Sequence, residues 1–378
     1  MGIRFGTSGW RAVIGDEFTF RNMGIVTKGI CAYLDEVDLS KKGPVVIGHD
    51  TRFLGEDFAR ECAAHVTAAG LQALLCDGFP PTPCVAHAIR DQKGAAGINF
   101  TASHNPPEYN GMKLSTADGA PALPEITNRV EQLVGTVETT PPNHPGDLRY
   151  ESLDPRPGYL EDLEKKISFE TIAHANGRYA LDPLWGTGRG YLDEALKSHG
   201  LEVETLHNWR DVTFGGRAPA PEASNLGELR EVVRSRGFSL GLATDGDSDR
   251  FGVIDADGGF VTPNQLIALL FDYLIDSRGW TGGVARSVAT SHLVDRVARE
   301  RDRKVYETPV GFKFIGELIN EDKIILGGEE SAGLSIKNHY PEKDGILACL
   351  LAAEAVAARG ASLMEQGVAL SESIGWMG

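Results

Sequence analysis

The sequence predicts an α/β protein with three consecutive α/β units, each built on a mixed, mostly parallel sheet. Short apolar runs alternate along the chain with stretches of helical spacing, and strands that are apolar throughout are typical of parallel sheets covered on both faces. Each predicted unit also places a polar loop directly after an apolar strand. Ligands of such sheets bind beyond the carboxyl ends of the strands, so these loops are the candidate sites.

The first unit is predicted to cover residues 1–150. Its predicted elements are strands over 45–48, 71–76 and 95–100 and helices over 56–69 and 83–91. The first of these helices has apolar residues three or four positions apart, at Phe58, Cys62, Val66 and Ala69, and ends at Gly70. Residues 135–158 contain five prolines and few apolar residues, which predicts a linker or irregular edge and a boundary near 150.

The second and third units are predicted over residues 151–256 and 257–378. Predicted strands of the second unit are 178–182, 201–206, 239–244 and 251–254, with helices over 188–198 and 226–236. Predicted strands of the third unit are 283–288, 304–307 and 323–326, with helices over 264–275, 292–301 and 344–358. The shared rhythm suggests a structural repeat, although no residue-level similarity between the units supports it.

Composition excludes several classes of protein. The chain has 378 residues, of which 42% are hydrophobic and 24% charged, as in ordinary globular proteins. A net charge of −16 argues against nucleic acid or an anionic membrane as partner, while a locally basic cleft could still bind an anionic substrate. No secretory signal or membrane-spanning run is found, and the five cysteines are scattered, which predicts reduced thiols and a cytoplasmic location.

A polar loop follows the apolar run 94–100. It carries Ser103 and His104 and is interrupted by Pro106 and Pro107, so it cannot continue the strand. Lys113 follows ten positions after the serine. A Ser-His hydrolase is disfavoured, because adjacent side chains on an extended chain point apart and because no G-x-S-x-G motif is present.

Three alternating carboxylates, Asp245, Asp247 and Asp249, lie between two apolar segments and predict a metal site. In an extended segment they would share one side of the chain, where a cation relieves their repulsion. An EF-hand is excluded, since Arg250 and Ala256 occupy its glycine and glutamate positions. A D-x-D phosphatase nucleophile lacks its companion motifs, and an all-oxygen ligand set favours Mg²⁺ over Zn²⁺.

Nucleotide-binding motifs are missing from the sequence. It has neither a Walker A loop nor a strand-linked G-x-G-x-x-G with an acidic partner, and the glycine-rich turn at 186–190 is interpreted as structural. Glu329, Glu330 and Ser331 lie in a loop bracketed by glycines. Carboxylates and hydroxyls of this kind pair well with neighbouring sugar hydroxyls, which indicates a sugar site.

Taken together, these motifs resemble the α-D-phosphohexomutase family of phosphoglucomutases, phosphomannomutases and phosphoglucosamine mutases. The residues that carry the resemblance are Thr-Ala-Ser-His-Asn-Pro at 101–106, Asn-Gly-x-Lys at 110–113, Asp-Gly-Asp-x-Asp-Arg at 245–250, Gly-Glu-Glu-Ser-Ala-Gly at 328–333, Gly-Thr-Ser-Gly-x-Arg at 6–11 and Thr-Pro-Val-Gly-Phe-Lys at 308–313. Their order and spacing match the family over essentially the whole chain. The resemblance implies that the units surround a central active-site cleft.

The resemblance also implies a role for each matching residue. The implied catalytic residues are Ser103 as phosphoserine, Lys113 or a neighbour as acid/base, and His104 and Arg11 beside the transferring group. The implied metal ligands are Ser103, through a phosphoserine oxygen, and Asp245, Asp247 and Asp249. The implied substrate-binding residues are Glu329, Ser331, Gly311, Arg250, Arg286 and Lys343.

The implied reaction interconverts hexose 1-phosphate and hexose 6-phosphate, with Mg²⁺ as cofactor and a hexose 1,6-bisphosphate as intermediate. The Glu-Glu-Ser loop favours glucose, with mannose and glucosamine as alternatives. We find no Arg-x-Ser-Gly-Thr-like loop, so a fourth, phosphate-binding domain is expected to be absent. A non-catalytic phosphosugar-binding protein and a Mg²⁺-dependent phosphatase are therefore kept as further hypotheses, and the sequence predicts no oligomeric state.

Overall fold

The computed structural model describes residues 3–136 and 150–375. Within this range the chain forms three sheets of six, five and four strands. The backbone groups into two compact units, one comprising Met1–Tyr159 with Arg210–Ala218 and the other comprising Leu160–Trp209 with Pro219–Gly378. The six-stranded sheet lies in the first unit and the other two sheets lie in the second.

The first unit is a sheet with helices on both faces. Its described elements are β1 (Trp10–Val13), α1 (Phe20–Glu36), β2 (Val45–His49), α2 (Gly55–Ala68), β3 (Ala73–Cys76), α3 (Thr82–Asp91), β4 (Ala96–Phe100), β5 (Tyr109–Thr116), α4 (Pro124–Val134) and β6 (Glu151–Leu153). The strand order is β1-β5-β4-β2-β3-β6. Strands β4, β2, β3 and β6 are parallel, and β5 and β1 add an antiparallel edge.

Alternate residues of β2 enter different cores. Val45 and Ile47 are fully buried among residues of α1 and α2, whereas Val46 packs with Val85 and Ile89 of α3. A strand covered on both faces must be apolar at every position, which explains why its sequence shows no alternation. The prediction of a doubly covered parallel sheet is confirmed.

The second unit contains two further sheets. Its described strands are β7 (Arg178–Asp182), β8 (Glu202–Thr205), β9 (Leu240–Thr244), β10 (Phe251–Asp255), β11 (Phe260–Val261), β12 (Gly283–Ser287), β13 (Val305–Thr308), β14 (Ile324–Glu329) and β15 (Gly333–Ile336). Its described helices are α5 (Arg156–Glu164, which begins in the first unit), α6 (Phe169–His174), α7 (Leu192–Lys197), α8 (Gly227–Arg236), α9 (Pro263–Arg278), α10 (Leu293–Glu300), α11 (Phe312–Asn320), α12 (Gly345–Arg359) and α13 (Leu363–Ser373). The strand orders are β11-β10-β9-β7-β8 and β13-β12-β14-β15.

The three sheets share one topology. In each, three parallel strands are followed by an antiparallel strand, in the spatial orders β3-β2-β4-β5, β8-β7-β9-β10 and β13-β12-β14-β15. The third parallel strand always leads through a polar loop into the antiparallel strand. These loops contain Ser103, the three aspartates and Glu330-Ser331, so the expected structural repeat is present as topology without sequence similarity.

Each strand and helix predicted above is present, and most ends differ by one to three residues. The helix predicted over 188–198 begins only at Leu192, because the residues before it form a turn-rich loop. The prediction of an irregular segment over 135–158 is wrong for its last residues, because Glu151–Leu153 form β6, which pairs with β3, and α5 begins at Arg156. Residues 137–149 of that segment lie outside the described residues.

Among the described residues, no single helix has the length and apolar composition needed to cross a membrane. Helices α12 and α13, which meet at a bend of 75°, meet that criterion only when they are taken as a pair.

Candidate functional site

Ser103 lies in the connection from β4 to β5, here called the serine loop (residues 101–108). The amide of Thr101 donates to the carbonyl of Gly111 at 3.0 Å, which closes the base of the loop. Because β4 is a parallel strand and β5 returns beside it, the loop lies at the carboxyl edge of the parallel strands. Ser103 therefore occupies the edge of the sheet at which α/β proteins bind their ligands.

Ser103 has a left-handed backbone conformation, with φ of 53°, and its side chain is buried. This conformation costs a residue with a Cβ atom roughly 1–2 kcal/mol, so the surrounding contacts must enforce it. It also brings Ser103 Oγ to 3.3 Å from His104 Nδ1. The expectation that these neighbours point apart is wrong, because it assumed an extended backbone.

The other two predicted catalytic side chains lie on the strands beside this loop. Arg11 on β1 pairs in register with Gly111 on β5, and its Nη1 donates to Asn105 Oδ1 at 2.8 Å. Lys113 follows two residues later on β5 and is buried. A Cβ atom on Gly111 would lie 2.5 Å from the Thr101 carbonyl oxygen, so glycine is needed where the strand and the loop approach each other. Ser103, His104, Arg11 and Lys113 thus belong to one local structure.

Two polar residues that the sequence reasoning left without a role hold the serine loop. The amide of Ser103 donates to Thr101 Oγ1 at 2.8 Å, and Thr101 Oγ1 donates to Asp50 Oδ2 at 2.6 Å. Asp50 follows β2, the parallel neighbour of β4, so both side chains reach the same sheet edge. The available signal was the polar segment 49–52 after an apolar strand, the same pattern that marks the serine loop.

Asp245, Asp247 and Asp249 lie in the connection from β9 to β10, here called the aspartate loop (residues 245–250). The segment is a turn with Ser248 at φ of 60°, so the extended geometry expected from the alternation is wrong. The carboxylates nevertheless converge: one oxygen of each lies within 4.8 Å of the others, and all three side chains are buried. Asp245 Oδ1 also accepts a hydrogen bond from the amide of Arg250 at 3.1 Å.

A glycine-rich loop packs beneath the aspartate loop. The amide of Thr187 donates to the carbonyl of Gly246 at 3.1 Å, and the hydroxyls of Thr187 and Ser248 are 3.0 Å apart. A Cβ atom on Gly186 would lie 2.7 Å from the carbonyl oxygen of Gly246, and one on Gly188 would lie 2.4 Å from Thr244 Oγ1. The turn at 186–190, interpreted from the sequence only as structural, packs against the aspartate loop and supports it.

The aspartate loop fits a hard divalent cation. Three buried carboxylates at close range repel one another, and a cation bound between them would relieve that repulsion. Their oxygens are the donors that Mg²⁺ prefers. Asp245, Asp247 and Asp249 are the residues that would hold the ion.

Lys343 supplies the protein's own positive charge at this loop. Its buried Nζ lies 3.1 Å from Asp249 Oδ2 and 2.9 Å from Glu342 Oε1. Burial lowers the pKa of Lys343, but the carboxylates of Asp249 and Glu342 outweigh it and hold that pKa above its usual range. The start of α12 is close enough that a Cβ atom on Gly345 would lie 2.2 Å from the carbonyl oxygen of Arg250. Lys343, Arg250 and the aspartate loop therefore form one cluster.

Glu329 ends β14, and its Oε1 accepts a hydrogen bond from the amide of Gly311 at 2.8 Å. Gly311 has φ of 128°, a conformation that favours glycine. Burial raises the pKa of Glu329, and the neighbouring Lys343 partly opposes this rise. Ser331 follows in the half-buried turn before β15.

Replacing Glu329 with glutamine is expected to change how stability depends on pH. Because the pKa of Glu329 is raised in the folded state, its ionisation opposes folding. This loss of folding stability develops as the pH rises above 4.5, the ordinary pKa of a glutamate. The melting temperatures of wild type and Glu329→Gln should agree below that pH, and wild type should be the less stable at neutral pH. Thermal unfolding across this range tests the prediction, with Glu317→Gln on the exposed face of α11 as control. A difference that does not vary with pH would contradict it.

Arg286 on β12 has carboxylate partners. Its Nε and Nη2 donate to both oxygens of Asp295, and Nη1 lies 3.0 Å from Glu307 Oε2. The hydrogen bonds that Arg286 donates to Asp295 raise the pKa of Arg286 despite its burial. Its predicted contact with substrate, like the predicted role of Ser103 as a metal ligand, stays a prediction.

Models of the phosphoglucomutase/phosphomannomutase family match three successive segments of the chain. Alpha/beta/alpha domain I matches residues 2–140, domain II matches residues 157–258 and domain III matches residues 262–372. The matched segments contain, in turn, the serine loop, the aspartate loop and the Glu329 turn.

Named relatives cover nearly all of the chain. A probable phosphoglucosamine mutase of Methanosphaera stadtmanae is 32% identical over 92% of this chain and 74% of its own length. A phosphoglucomutase of Komagataeibacter xylinus is 30% identical over 94% of this chain and 70% of its own length. A phosphoglucomutase/phosphomannomutase of Thermococcus kodakarensis is 30% identical over 97% of this chain and 79% of its own length.

Solved structures agree with these relatives. A crystal structure from Thermus thermophilus, of a candidate phosphomannomutase, is 36% identical with a TM-score of 0.93 and covers 99% of this chain and 84% of its own. Parafusin, a phosphoglucomutase from Paramecium, shares the fold at 24% identity with a TM-score of 0.90, over 99% of this chain and 75% of its own. The chain therefore belongs to the α-D-phosphohexomutase family and is an enzyme of its class, the intramolecular phosphotransferases.

Proposed function

We propose that this enzyme interconverts hexose 1-phosphate and hexose 6-phosphate through a phosphorylated Ser103 and a hexose 1,6-bisphosphate, with glucose as the hexose. The observation that carries the proposal is the serine loop, in which a buried serine is presented in a strained conformation beside an imidazole. Backbone strain of this kind persists where surrounding contacts enforce it, and it clusters at functional sites. Membership of the family supports the same reaction.

In the proposed first transfer, the bond between phosphorus and Ser103 Oγ breaks, and a bond forms between phosphorus and the free hydroxyl oxygen of the sugar phosphate. The proton of that hydroxyl passes to Lys113 or to a neighbouring group, with His104 beside the phosphoryl group. Arg11, held through Asn105, balances the charge of the moving group. The second transfer returns the other phosphate of the bisphosphate to Ser103 by the reverse chemistry.

Asp245, Asp247 and Asp249 are proposed to bind Mg²⁺. When bound, this ion withdraws electron density from phosphoryl oxygens and so stabilises the charge that develops during transfer. The residues of the chain position the rest of the substrate. Glu329 and Ser331 are proposed to bind sugar hydroxyls, with the Gly311 amide fixing the Glu329 carboxylate.

The distal phosphate is proposed to bind Arg250, Lys343 and Arg286. Lys343 already lies beside the carboxylates of Asp249 and Glu342, and Arg286 must exchange some of its carboxylate partners for phosphate oxygens. Since an arginine fork suits either acceptor, this exchange requires no new donor.

Glucose is preferred over mannose and glucosamine because of the Glu-Glu-Ser sequence at 329–331. The side chain of Glu330 is already anchored within the protein, because its Oε2 accepts hydrogen bonds from Ser287 at 2.8 Å and Thr290 at 3.1 Å. That anchoring leaves Glu329 and Ser331 as the sugar-binding pair. The cytoplasm is proposed as the site of action, supported by five buried cysteines, none of which forms a disulfide.

The test is a substrate panel with Mg²⁺ and catalytic amounts of the matching 1,6-bisphosphate. Glucose 1-phosphate should be converted to glucose 6-phosphate with a higher kcat/KM than the mannose and glucosamine 1-phosphates. Binding without turnover in calorimetry would replace the proposal with a phosphosugar-binding protein. Release of free phosphate from the bisphosphate would replace it with a phosphatase.

A further inference from the structure

Arg52 is a buried arginine close to the serine loop, and its side chain is fully inaccessible to solvent. Its Nη2 donates to the carbonyl oxygens of Ser103 at 2.7 Å and Asn105 at 2.6 Å. Its Nη1 donates to those of Pro106 at 2.7 Å and Tyr109 at 2.9 Å. One guanidinium group therefore binds four backbone carbonyls of the segment that presents the proposed phosphoserine.

The fifth donor of the guanidinium joins Arg52 to the hydrogen bonds that hold Ser103. Nε donates to Asp50 Oδ2 at 3.1 Å, and the Arg52 amide donates to Asp50 Oδ1 at 2.9 Å. Asp50 Oδ2 also accepts from Thr101, whose hydroxyl accepts from the Ser103 amide. The Ser103 peptide unit is therefore held at its carbonyl by Arg52 and at its amide through Thr101.

Arg52 is itself held by residues of the segment Arg210–Ala218. Its guanidinium carbon lies 4.9 Å from the centre of the Phe214 ring, and Phe214 is fully buried. Arg210 donates to the carbonyl oxygens of Thr51 at 3.1 Å and Arg52 at 3.3 Å. Both residues lie in Arg210–Ala218, a segment that belongs to the first compact unit although it follows β8 in the chain.

We propose that Arg52 is a positioning residue for phosphoryl transfer, which holds the serine loop in the conformation that presents Ser103. It acts through backbone carbonyls and has no proposed contact with substrate, and its role rests on the proposed function of Ser103. A charged arginine with five donors in a planar fork meets four carbonyls and a carboxylate at once. Lysine keeps the charge but has only three donors and no fork, so it cannot replace these hydrogen bonds.

The first test is Arg52→Lys in the full chain, with Arg60→Lys as matched control, since Arg60 is an exposed arginine of α2 paired with Glu56. In the mutase assay kcat of Arg52→Lys should fall roughly 10- to 100-fold with KM little changed, because the reacting group is misplaced while the sugar contacts persist. Arg60→Lys should behave as wild type. Equal kcat values for Arg52→Lys and wild type would overturn the proposal.

The second test needs no catalysis. Amide hydrogen exchange in peptides covering 101–110 should be faster in Arg52→Lys than in wild type, with exchange elsewhere in the first unit unchanged. Unchanged exchange in these peptides would overturn the positioning role. If wild type formed no phosphoserine and had no mutase activity, the proposed function would fail, while this exchange measurement would still decide whether Arg52 orders the loop.

A milder variant covers the case in which Arg52→Lys does not fold. Thr101→Val removes the hydroxyl link between Asp50 and the Ser103 amide, and Thr101→Ser restores it. Thr101→Val should lower kcat and speed exchange in the same peptides, and Thr101→Ser should recover both. Equal behaviour of the two variants would overturn the proposed hydrogen-bond network.

Discussion

Replacing Ser103 with alanine is expected to lower the rate of hexose 1-phosphate conversion by at least about 1,000-fold, because the proposed reaction passes the phosphoryl group through the Ser103 hydroxyl. The protein should still fold. Alanine has the same Cβ atom as serine, so the strain at φ of 53° is unchanged, and the Thr101 and Arg52 contacts are made to backbone atoms. Steady-state assay with the 1,6-bisphosphate measures the first effect and thermal unfolding the second.

Intact mass spectrometry separates the covalent step from turnover. Incubation with the bisphosphate should add one phosphoryl group to wild type and none to Ser103→Ala. Ser40→Ala is the control, since Ser40 is remote in sequence and its hydroxyl donates to a surface carboxylate, Asp35. Retention of mutase activity or of the mass increment by Ser103→Ala would show that another residue carries the phosphoryl group.

Asp247→Asn should weaken Mg²⁺ binding by roughly tenfold or more and lower activity at limiting metal. Without metal, the same substitution should leave the stability of the folded protein unchanged or increase it. Three buried carboxylates have oxygens within 4.8 Å of one another, and asparagine removes one of those like charges with little change in volume. In a chelator the variant should therefore melt at the same temperature as wild type or higher.

Added Mg²⁺ should reverse that order, because an ion that binds only the folded state stabilises that state more when it binds more tightly. The melting temperature of wild type should rise with Mg²⁺ concentration, and that of Asp247→Asn should rise much less. Asp257→Asn, at an exposed turn where its carboxylate accepts from the Gly259 amide, should respond to Mg²⁺ as wild type does. An equal Mg²⁺ response in Asp247→Asn and wild type would place the metal elsewhere.

Local patterns were sufficient to predict most of the strands and helices. A strand such as β2, buried on both faces, is apolar throughout, and a helix such as α2 buries one stripe at three- and four-residue spacing. Helix α1 was not predicted, although Met23, Val26, Ile30 and Leu34 show the same spacing. Gly24 and Gly29, where other elements pack closely against the helix, and the buried Thr27 dilute the pattern.

Hairpin partners were harder to predict, because their identity depends on distant pairing. β1 is recognisable as a strand mainly because β5 lies beside it, and β15 because it pairs with β14. The same dependence misled the prediction for Ser103 and His104. An extended backbone was a reasonable local default, but the contacts to Asp50 and Arg52 come from a loop about fifty residues earlier in the chain.

The sequence was sufficient to propose which residues bear the chemistry, because the motifs that resemble the family place a candidate phosphoryl carrier, candidate metal ligands and candidate sugar ligands at short spacings within single loops. The tertiary structure decided how those groups are held. It set the left-handed Ser103 through Arg52 and Thr101, and it converged the three aspartates in a turn above Gly186 and Gly188. These features depend on hydrogen bonds and close approaches between segments far apart in the chain, and no local pattern of residues encodes such contacts.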